Sequence, residues 1–349
     1  MSSNAPATSP PAAARPRASG ALGRRLKTIP AVVLLCVLVV GLLPALLALG
    51  ALVDVARWAA RRTPWMATRL TAFAACYLLA EVVGLACLFG LWLGAGFGRG
   101  RARLERGAFA IQQRWIRVNL ACVRAIFGLR FTVEGDAALA PAPFLLFVRH
   151  ASMVDTLLPS RFVSVEHDIV LRFVLKKELL VDPCLDVAGN WLRNYFVDRA
   201  SANTQRELDG IAALATDLGP RDAVIIYPEG TRFTEKKRAR ALAALAERAP
   251  ELVPRAERLE RSLPPRLGGP LTLLDAAPGL DVVVMAHHGF EGFGSLGAIW
   301  RGAMVRREIR VAFWREPRAA IPEDRDGRVA WLYDQWQRVD AWVVAASAR

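Results

Sequence analysis

The sequence predicts an α/β protein: a layered domain with a mostly buried mixed sheet flanked by helices, preceded by an N-terminal membrane hairpin of two helices. Two long apolar runs occupy most of the first hundred residues. After them, short apolar segments alternate with amphipathic stretches. This alternation is typical of layered α/β domains, and the continuous apolar character of the short segments indicates strands that are covered on both faces.

The N-terminal tail is rich in Ala, Pro, Ser and Arg and has neither helical nor strand periodicity. Such a segment cannot bury enough apolar surface to offset the entropy lost on ordering. We therefore predict a disordered basic tail over residues 1–28.

The two apolar runs follow the tail. Residues 31–53 contain no charged residue, and residues 70–97 contain one, Glu81. Each run is longer than the roughly 20 residues that cross a hydrocarbon core about 30 Å thick. A cleaved signal peptide has a shorter apolar region. We predict a retained hairpin over residues 29–97, with membrane segments at about 29–53 and 68–97.

The topology of this hairpin stays open, because basic residues flank both runs. A spanning hairpin would place the Arg residues of the connection on the side that the positive-inside rule disfavours, whereas a re-entrant hairpin would keep all of them at one headgroup layer. Glu81 is either a functional group or a residue that faces protein instead of lipid.

Charge and cysteine usage restrict the partners. The formal net charge is +14, and beside two membrane segments an anionic lipid surface is a simpler partner than nucleic acid, for which the chain has no motif. The five Cys show no metal-binding spacing. They are typical of small buried hydrophobic residues in a reducing compartment.

We predict that the remaining chain, residues 105–349, is one catalytic domain. Its predicted strands are residues 131–135, 143–148, 168–174, 194–198, 222–228, 281–287 and 308–314. Apolar residues at helical spacing predict helices over about 208–218 and 329–343. Residues 250–270, with Arg255, Arg258, Arg261 and Arg266, are predicted to be a long basic surface loop.

Polar residues follow three of the predicted strands. His150 and Asp155 follow the second strand, Asp198-Arg199 the fourth, and Glu229-Gly230-Thr231-Arg232 the fifth. Ligands of α/β sheets bind at the carboxyl ends of strands, so these residues predict one common site. His150 is the natural general base, and Asp155 can orient its ring. Ser152 and Asp155 also have the spacing of a helix capping box, which is compatible with that role.

These blocks resemble the glycerolipid acyltransferases, the lysophosphatidate acyltransferase group. The similarity lies in His150-x4-Asp155, Phe196-x-x-Arg199 and Glu229-Gly230-Thr231-Arg232, in that order and at that spacing. It extends over about residues 110–315, and the membrane hairpin agrees with it.

The resemblance implies transfer of an acyl group from a thioester to the free hydroxyl of a lysophospholipid, most simply 1-acyl-glycerol-3-phosphate, to give phosphatidate. His150 would deprotonate the hydroxyl and Asp155 would orient His150. Arg199 and residues Glu229, Gly230, Thr231 and Arg232 would bind the acceptor. The donor would be acyl-CoA or acyl carrier protein, with no cofactor and no metal, at a membrane that we take to be a bacterial cytoplasmic membrane.

The chain departs from the family pattern in two places. Arg193 stands where a Gly is usual, and the fourth block, residues 281–288, lacks its usual Pro and ends in His287 and His288. Three alternatives stay open: an acyltransferase for lysocardiolipin or lysophosphatidylinositol, a metal-dependent hydrolase that uses His150, Asp155 and one of the extra histidines, and a non-enzymatic membrane adaptor.

Overall fold

The computed structural model describes residues 20–152, 155–198, 204–293 and 295–348. Within these ranges the helices are α1 (Ala21–Gly41), α2 (Leu43–Arg61), α3 (Ala67–Gly94), α4 (Arg101–Phe127), α5 (Leu157–Pro159), α6 (Pro183–Trp191), α7 (Thr204–Ala212), α8 (Glu235–Arg248), α9 (Val253–Glu257), α10 (Gly268–Ala276), α11 (Leu296–Trp300) and α12 (Arg325–Ser347). The strands are β1 (Arg130–Glu134), β2 (Phe144–Val148), β3 (Val170–Lys176), β4 (Tyr195–Val197), β5 (Asp222–Ile226), β6 (Val282–His288) and β7 (Glu308–Glu316).

The seven strands form one mixed sheet in the order β1-β7-β6-β2-β5-β3-β4. All neighbours are parallel except β6 and β7, which are antiparallel. Strands β2 to β6 therefore run in one direction, and their carboxyl ends share one edge. Each of the seven predicted strands is confirmed to within about two residues at either end.

Both faces of the sheet are covered, as the unbroken apolar strands predict. Successive residues of β2 point to opposite faces. Leu146 belongs to the core on the side of α4, with Phe127, whereas Phe147 belongs to the core on the side of α12, with Trp331. The predicted C-terminal helix is confirmed as α12, while the predicted helix over 208–218 ends earlier, at Ala212, and continues as a 3₁₀ turn to Ala215.

The N-terminal tail is shorter than the prediction of residues 1–28. Residues 1–19 lie outside the described residues, but α1 begins at Ala21. Arg24 and Arg25 in its first turns both bind the carboxylate of Asp186 on α6, which is fully buried. Residues 21–28 are therefore helical because a contact distant in sequence anchors them, and no local pattern indicates that contact.

The first arm of the predicted two-helix hairpin consists of two helices. The backbone departs from helical geometry at Leu42, and α2 restarts with Pro44 in its first turn. Proline has no N–H to donate and its ring clashes with the preceding turn, so a break just before it is expected. Two helices, α2 and α3, are long and apolar enough to cross a membrane.

The hairpin is not a separate body. Asp54 of α2 accepts the backbone N–H groups of Met66, Ala67 and Thr68, and so caps the start of α3. Helix α3 then packs along α4 and α6. Glu81, which is 1% exposed, faces protein on this side, and its carbonyl accepts the thiol of Cys184.

The opposite sides of the N-terminal helices are apolar and exposed. Most large exposed hydrophobic side chains of the described residues lie between Leu22 and Phe97. A soluble protein rarely exposes so large an apolar patch, and such a patch is typical of a surface that contacts a partner or a membrane. The N-terminal helices therefore expose apolar surface on one face and pack on the domain with the other.

Candidate active site

The register of the sheet brings three of the predicted segments together at its carboxyl edge. Phe147 of β2 pairs with Ile226 of β5, and Val148 pairs with Met285 of β6. Continuing each register past the strand ends sets His150 between Glu229 on one side and His287 on the other. Parallel strands of a single sheet thus align residues that are separated by 79 and 137 positions in the chain.

His150 and Asp155 are in direct contact, as predicted. Nδ1 of His150 lies 3.0 Å from Oδ2 of Asp155. A carboxylate at this distance assigns the proton to Nδ1, which leaves Nε2 as the acceptor. The imidazole packs on the ring of Tyr227, with 4.9 Å between centroids, and 14% of its side chain is exposed. His150 is therefore oriented and accessible, as a general base must be.

Asp155 is fully buried, and a single oxygen of its carboxylate receives all of its bonds. Oδ2 also accepts the backbone N–H groups of Ala151 at 2.5 Å and Ser152 at 2.7 Å. The Asp155 carboxylate thus accepts two N–H groups at the start of its own turn, as the acidic residue of a capping box does. The helix that follows this turn, α5, begins at Leu157.

Glu229 is 2% exposed, and its carboxylate binds protein backbone on both sides. Oε1 accepts the N–H of His150 at 2.9 Å, and Oε2 accepts the N–H of Leu263 at 3.0 Å. Burial raises the pKa of this carboxyl to about 7, against the opposing effects of Arg149 and the two N–H donors. In this arrangement Glu229 positions His150, a role that differs from the predicted contact with substrate.

The loop after Glu229 closes over the same residue. Phe233 donates its N–H to the carbonyl of His150 at 2.9 Å, so that both backbone groups of His150 are held by one loop. Gly230 has φ +66°, a conformation that favours glycine. Its N–H donates to Tyr227, so it is not available for the oxyanion role that its sequence position suggested.

Thr231 and Arg232 lie at the solvent side of this loop. Nζ of Lys237, in the first turn of α8, donates to the Thr231 hydroxyl at 3.0 Å and to the Arg232 carbonyl at 3.1 Å. The guanidinium of Arg232 makes no hydrogen bond or ion pair within the described ranges. It remains free to bind an anion.

The second predicted block is described only in part. Arg199 lies outside the described residues, so its place at the site stays a prediction. Lys177, at the end of β3, pairs with Asp198 at 3.1 Å, and both side chains are more than two-fifths exposed. This is a solvated surface pair. Arg193, the departure from the family pattern, pairs with Glu105 of α4.

Two supporting residues were missed at the sequence level. His287 is fully buried; its Nε2 lies 3.0 Å from the Arg149 carbonyl and 3.6 Å from Oδ2 of Asp155. Burial lowers the pKa of this ring, and its Nε2–H donates to the Arg149 carbonyl. Arg149, also fully buried, donates to Glu291 at 2.7 Å and to the carbonyls of His287 and Arg261. The sequence signal that could have identified Arg149 is its position as a charged residue directly after a buried strand.

Glu291 completes this support. Burial opposes its ionisation, but His288 and Arg149 together hold the pKa of its carboxyl well below the usual range. Arg149 is therefore a buried cation with a permanent counter-ion. Within the described ranges, no three His, Cys, Asp or Glu side chains are arranged to hold a metal ion.

A largely apolar cavity of about 190 Å³ lies next to the start of α5. Thr156 and Leu157, the two residues after Asp155, line it, and so do Glu81 and Leu88 of α3. Its wall also includes residues of α4, α6 and β3. The cavity therefore lies between the turn that follows Asp155 and helix α3.

The chain is similar to known proteins in sequence and in fold. Residues 130–258 match the family model described as Acyltransferase. A 1-acyl-sn-glycerol-3-phosphate acyltransferase from Pseudomonas aeruginosa is 29% identical over 124 residues, which are 35% of this chain and 46% of that protein. The chain is therefore similar to acyltransferases over about a third of its length. The match spans about half of that curated relative.

The fold of this chain also has a counterpart of known structure. The crystal structure of the 1-acyl-sn-glycerophosphate (LPA) acyltransferase PlsC from Thermotoga maritima superposes with a TM-score of 0.52 and 16% identity, over 80% of this chain and 97% of that chain. The predicted fold class, a mixed sheet flanked by helices and preceded by apolar helices, is confirmed. All of the matched family segment lies C-terminal to α4.

Proposed function

We propose that this protein is a membrane-bound O-acyltransferase that moves a fatty acyl group from a thioester to the free hydroxyl of a lysophospholipid, with 1-acyl-glycerol-3-phosphate as the preferred acceptor and phosphatidate as product. The observation that carries the proposal is the buried Asp155 holding Nδ1 of His150 while Nε2 stays accessible beside an apolar cavity. The printed name of the Pseudomonas relative supports the choice of acceptor.

The reaction follows from this pair. Nε2 of His150 takes the proton of the acceptor hydroxyl as its oxygen attacks the thioester carbonyl. The tetrahedral intermediate collapses to the new ester and expels the thiolate, which takes the proton back from the imidazolium. Asp155 stabilises that imidazolium and keeps the ring in one tautomer. The proposed reaction needs no metal or cofactor.

The cavity beside Asp155 suits the apolar part of a substrate. Most of its lining surface is apolar, although Glu81 and Asp182 also line it, and it extends from the turn after Asp155 to helix α3. A fatty chain can therefore enter from the bilayer and bring its carbonyl carbon to His150. Burying each methylene contributes roughly 0.8 kcal/mol to binding.

Acceptor choice depends on the arginines. Arg232 has an unpaired guanidinium, and the family pattern adds Arg199; two guanidinium groups can neutralise a phosphate monoester, which carries close to two charges. We therefore expect lysophosphatidate to be the best acceptor, anionic lysophosphodiesters to come next, and lysophosphatidylcholine to be poor. The alternative acceptors, lysocardiolipin and lysophosphatidylinositol, draw support from the basic residues between 250 and 270.

The proposed location is a bacterial cytoplasmic membrane, with the catalytic domain on the cytoplasmic side. The support is the exposed apolar surface of the N-terminal helices together with the basic composition of the chain. The donor is either acyl-CoA or acyl carrier protein, both of which are cytoplasmic thioesters.

The test uses the full chain purified in detergent. Palmitoyl-CoA and a panel of lysophospholipids are supplied in mixed micelles, and release of free thiol is followed with a chromogenic reagent. The proposal predicts thiol release that depends on lysolipid and disappears in His150→Ala. Thiol release of equal rate without lysolipid would indicate a thioesterase instead.

Two rival functions give different results in the same assay. A metal-dependent hydrolase loses activity on treatment with a chelator, whereas the proposed reaction does not. A non-enzymatic membrane adaptor releases no thiol with any acceptor. Equal rates with lysophosphatidate and lysophosphatidylcholine would leave the acyl transfer intact and overturn the acceptor assignment.

A further inference from the structure

The 250–270 segment was predicted to be a basic surface loop, and the structure corrects this. Residues 259–266, here called the strap, are largely buried: Leu259, Ser262 and Leu263 are at most 2% exposed. The side chain of Arg266 is exposed at the end of this buried strap. The strap lies outside residues 130–258, the segment that the family model matches.

Backbone hydrogen bonds fix the strap between α12 and the active site. Its N-terminal end donates two N–H groups to Asp340 of α12, and the carbonyl of Arg261 accepts from Arg149. Leu263 donates to Glu229, the residue that also holds His150. Arg266 itself donates its N–H to the carbonyl of Pro228 at 2.8 Å. The position of Arg266 is thus tied to the loop that positions the general base.

The side chain of Arg266 lies directly on Gly230. A Cβ atom at position 230 would come within 2.8 Å of Cδ and 2.9 Å of Nε of Arg266. The absence of a side chain at Gly230 is therefore what lets the Arg266 side chain lie against this loop. Gly230 thus allows Arg266 to approach closely, and it also adopts the left-handed backbone conformation.

The charges around Arg266 favour an anion. Some arginines at the surface bind carboxylates, as Arg255 does with Asp334. Arg266 makes no such pair within the described ranges, and neither does Arg232. Glu229, which directly precedes Gly230, is buried with both oxygens bound to backbone and pairs with neither of them. Arg266 lies on Gly230 and Arg232 follows Gly230 by two residues, so two guanidinium groups without an ion pair in the described ranges belong to this part of the site.

We propose that Arg266 is a phosphate-binding residue of the substrate site, which holds, together with Arg232, a phosphate group of one of the two substrates across Gly230. Planar guanidinium groups bind phosphate oxygens in pairs, and two of them fixed on one loop are preorganised for such a group. The phosphate belongs either to the lysophospholipid headgroup or to the coenzyme A part of the donor. This inference rests on the proposed acyl transfer.

The experiment compares Arg266→Gln, Arg266→Lys and Arg258→Gln with the wild type. Arg258 is a matched control, since it is an exposed arginine just before the strap that makes no ion pair within the described ranges. Apparent KM and kcat are measured for lysophosphatidate and for palmitoyl-CoA. The donor measurement is repeated with palmitoyl-N-acetylcysteamine, a thioester without phosphate.

We expect Arg266→Gln to raise one KM by roughly tenfold to a hundredfold, the range of a lost charge-assisted hydrogen bond, with kcat nearly unchanged. Arg266→Lys should show a smaller rise, because it keeps the charge and loses the paired geometry. If the KM for lysophosphatidate rises, the phosphate is that of the acceptor. If the KM rises for palmitoyl-CoA and not for palmitoyl-N-acetylcysteamine, it is that of the donor.

Three results overturn the inference while leaving the proposed function in place. They are KM values within about twofold of wild type, a loss of kcat at constant KM, and an equal effect of Arg258→Gln, which would indicate only diffuse surface charge. Absence of thiol release by the wild-type protein is a different result, because it removes the proposed function itself.

Discussion

Replacing Asp155 by Asn separates the charge of this residue from its geometry. Oδ2 receives the bonds from His150, Ala151 and Ser152, and Oδ1 has no hydrogen-bond partner within the described ranges. Asn can put its carbonyl oxygen at the Oδ2 position. The reversed orientation would point an N–H group at two backbone N–H groups, so the backbone itself selects the correct one. The imidazole then keeps its tautomer and loses only the negative charge beside it.

The expected loss follows from the distance. Nδ1 and Oδ2 are 3.0 Å apart, which puts the two charge centres about 4 Å apart, where the attraction is about 1 kcal/mol in water and about 4 kcal/mol at an effective dielectric constant of 20. Asp155 is fully buried and His150 only 14% exposed, so the larger value is the better guide. The imidazolium exists only during the reaction, so kcat should fall between about tenfold and about a thousandfold.

The assay pairs thiol release with thermal unfolding in detergent. Because the hydrogen bonds are kept, the unfolding free energy should change by less than about 1 kcal/mol, and Tm by at most about 4 °C. Asp326→Asn, an exposed carboxylate on α12, is the control for loss of a remote charge. A wild-type rate in Asp155→Asn would refute the role of the charge. A large fall in Tm would refute the inference that Asn keeps the three hydrogen bonds that Oδ2 accepts.

Four further predictions follow from the same site. His150→Ala should lower kcat by about a hundredfold to ten-thousandfold at nearly unchanged Tm, as thiol release and unfolding will show. His287→Phe should lower kcat by about tenfold, and His287→Gln should retain most of the rate because it keeps an N–H donor toward the Arg149 carbonyl, which directly precedes His150; equal losses would refute positioning through that N–H. Arg232→Lys should raise the apparent KM for lysophosphatidate more than for a lysophosphodiester, and an equal rise for both would contradict a paired contact with a monoester. Glu229 has a folded-state pKa of about 7 against an ordinary 4.5, so its favourable contribution is complete at low pH and is lost as pH rises through about 7, by about 3 kcal/mol. The stability advantage of wild type over Glu229→Gln should therefore shrink between about pH 5 and pH 8 in thermal unfolding, and a constant difference would refute the raised pKa.

The seven strands, the long C-terminal helix and the pairing of His150 with Asp155 were predictable because their causes are local. The spacing of apolar residues within a segment indicates whether one face or both faces of a helix or strand are buried. A His and an Asp five positions apart at a strand end can meet through one short turn. The charged and polar residues of the block from Glu229 to Arg232 also indicated a site near the fifth strand.

The roles within that block depended on tertiary structure. Whether Glu229 binds substrate or backbone is decided by sheet register, which aligns it with His150 and brings Leu263 to its second oxygen. The same holds for His287, whose place beneath Asp155 comes from the pairing of β6 with β2. Register arises from pairing across distant segments, and no pattern within one segment encodes it.

The sequence by itself thus determined that an α/β catalytic domain is attached to apolar helices and that a His–Asp pair stands at a strand end. Only the tertiary structure decided that α1 begins at Ala21 and that the helices and the domain share a core. It also showed that the segment after Arg258, predicted to be a surface loop, buries Leu259, Ser262 and Leu263 while its arginines stay at the surface, and that Arg266 lies over Gly230. The physical reason is the same in each case. Asp186, Asp340 and Glu229 are buried carboxylates, and a buried carboxylate must find donors wherever in the chain they are.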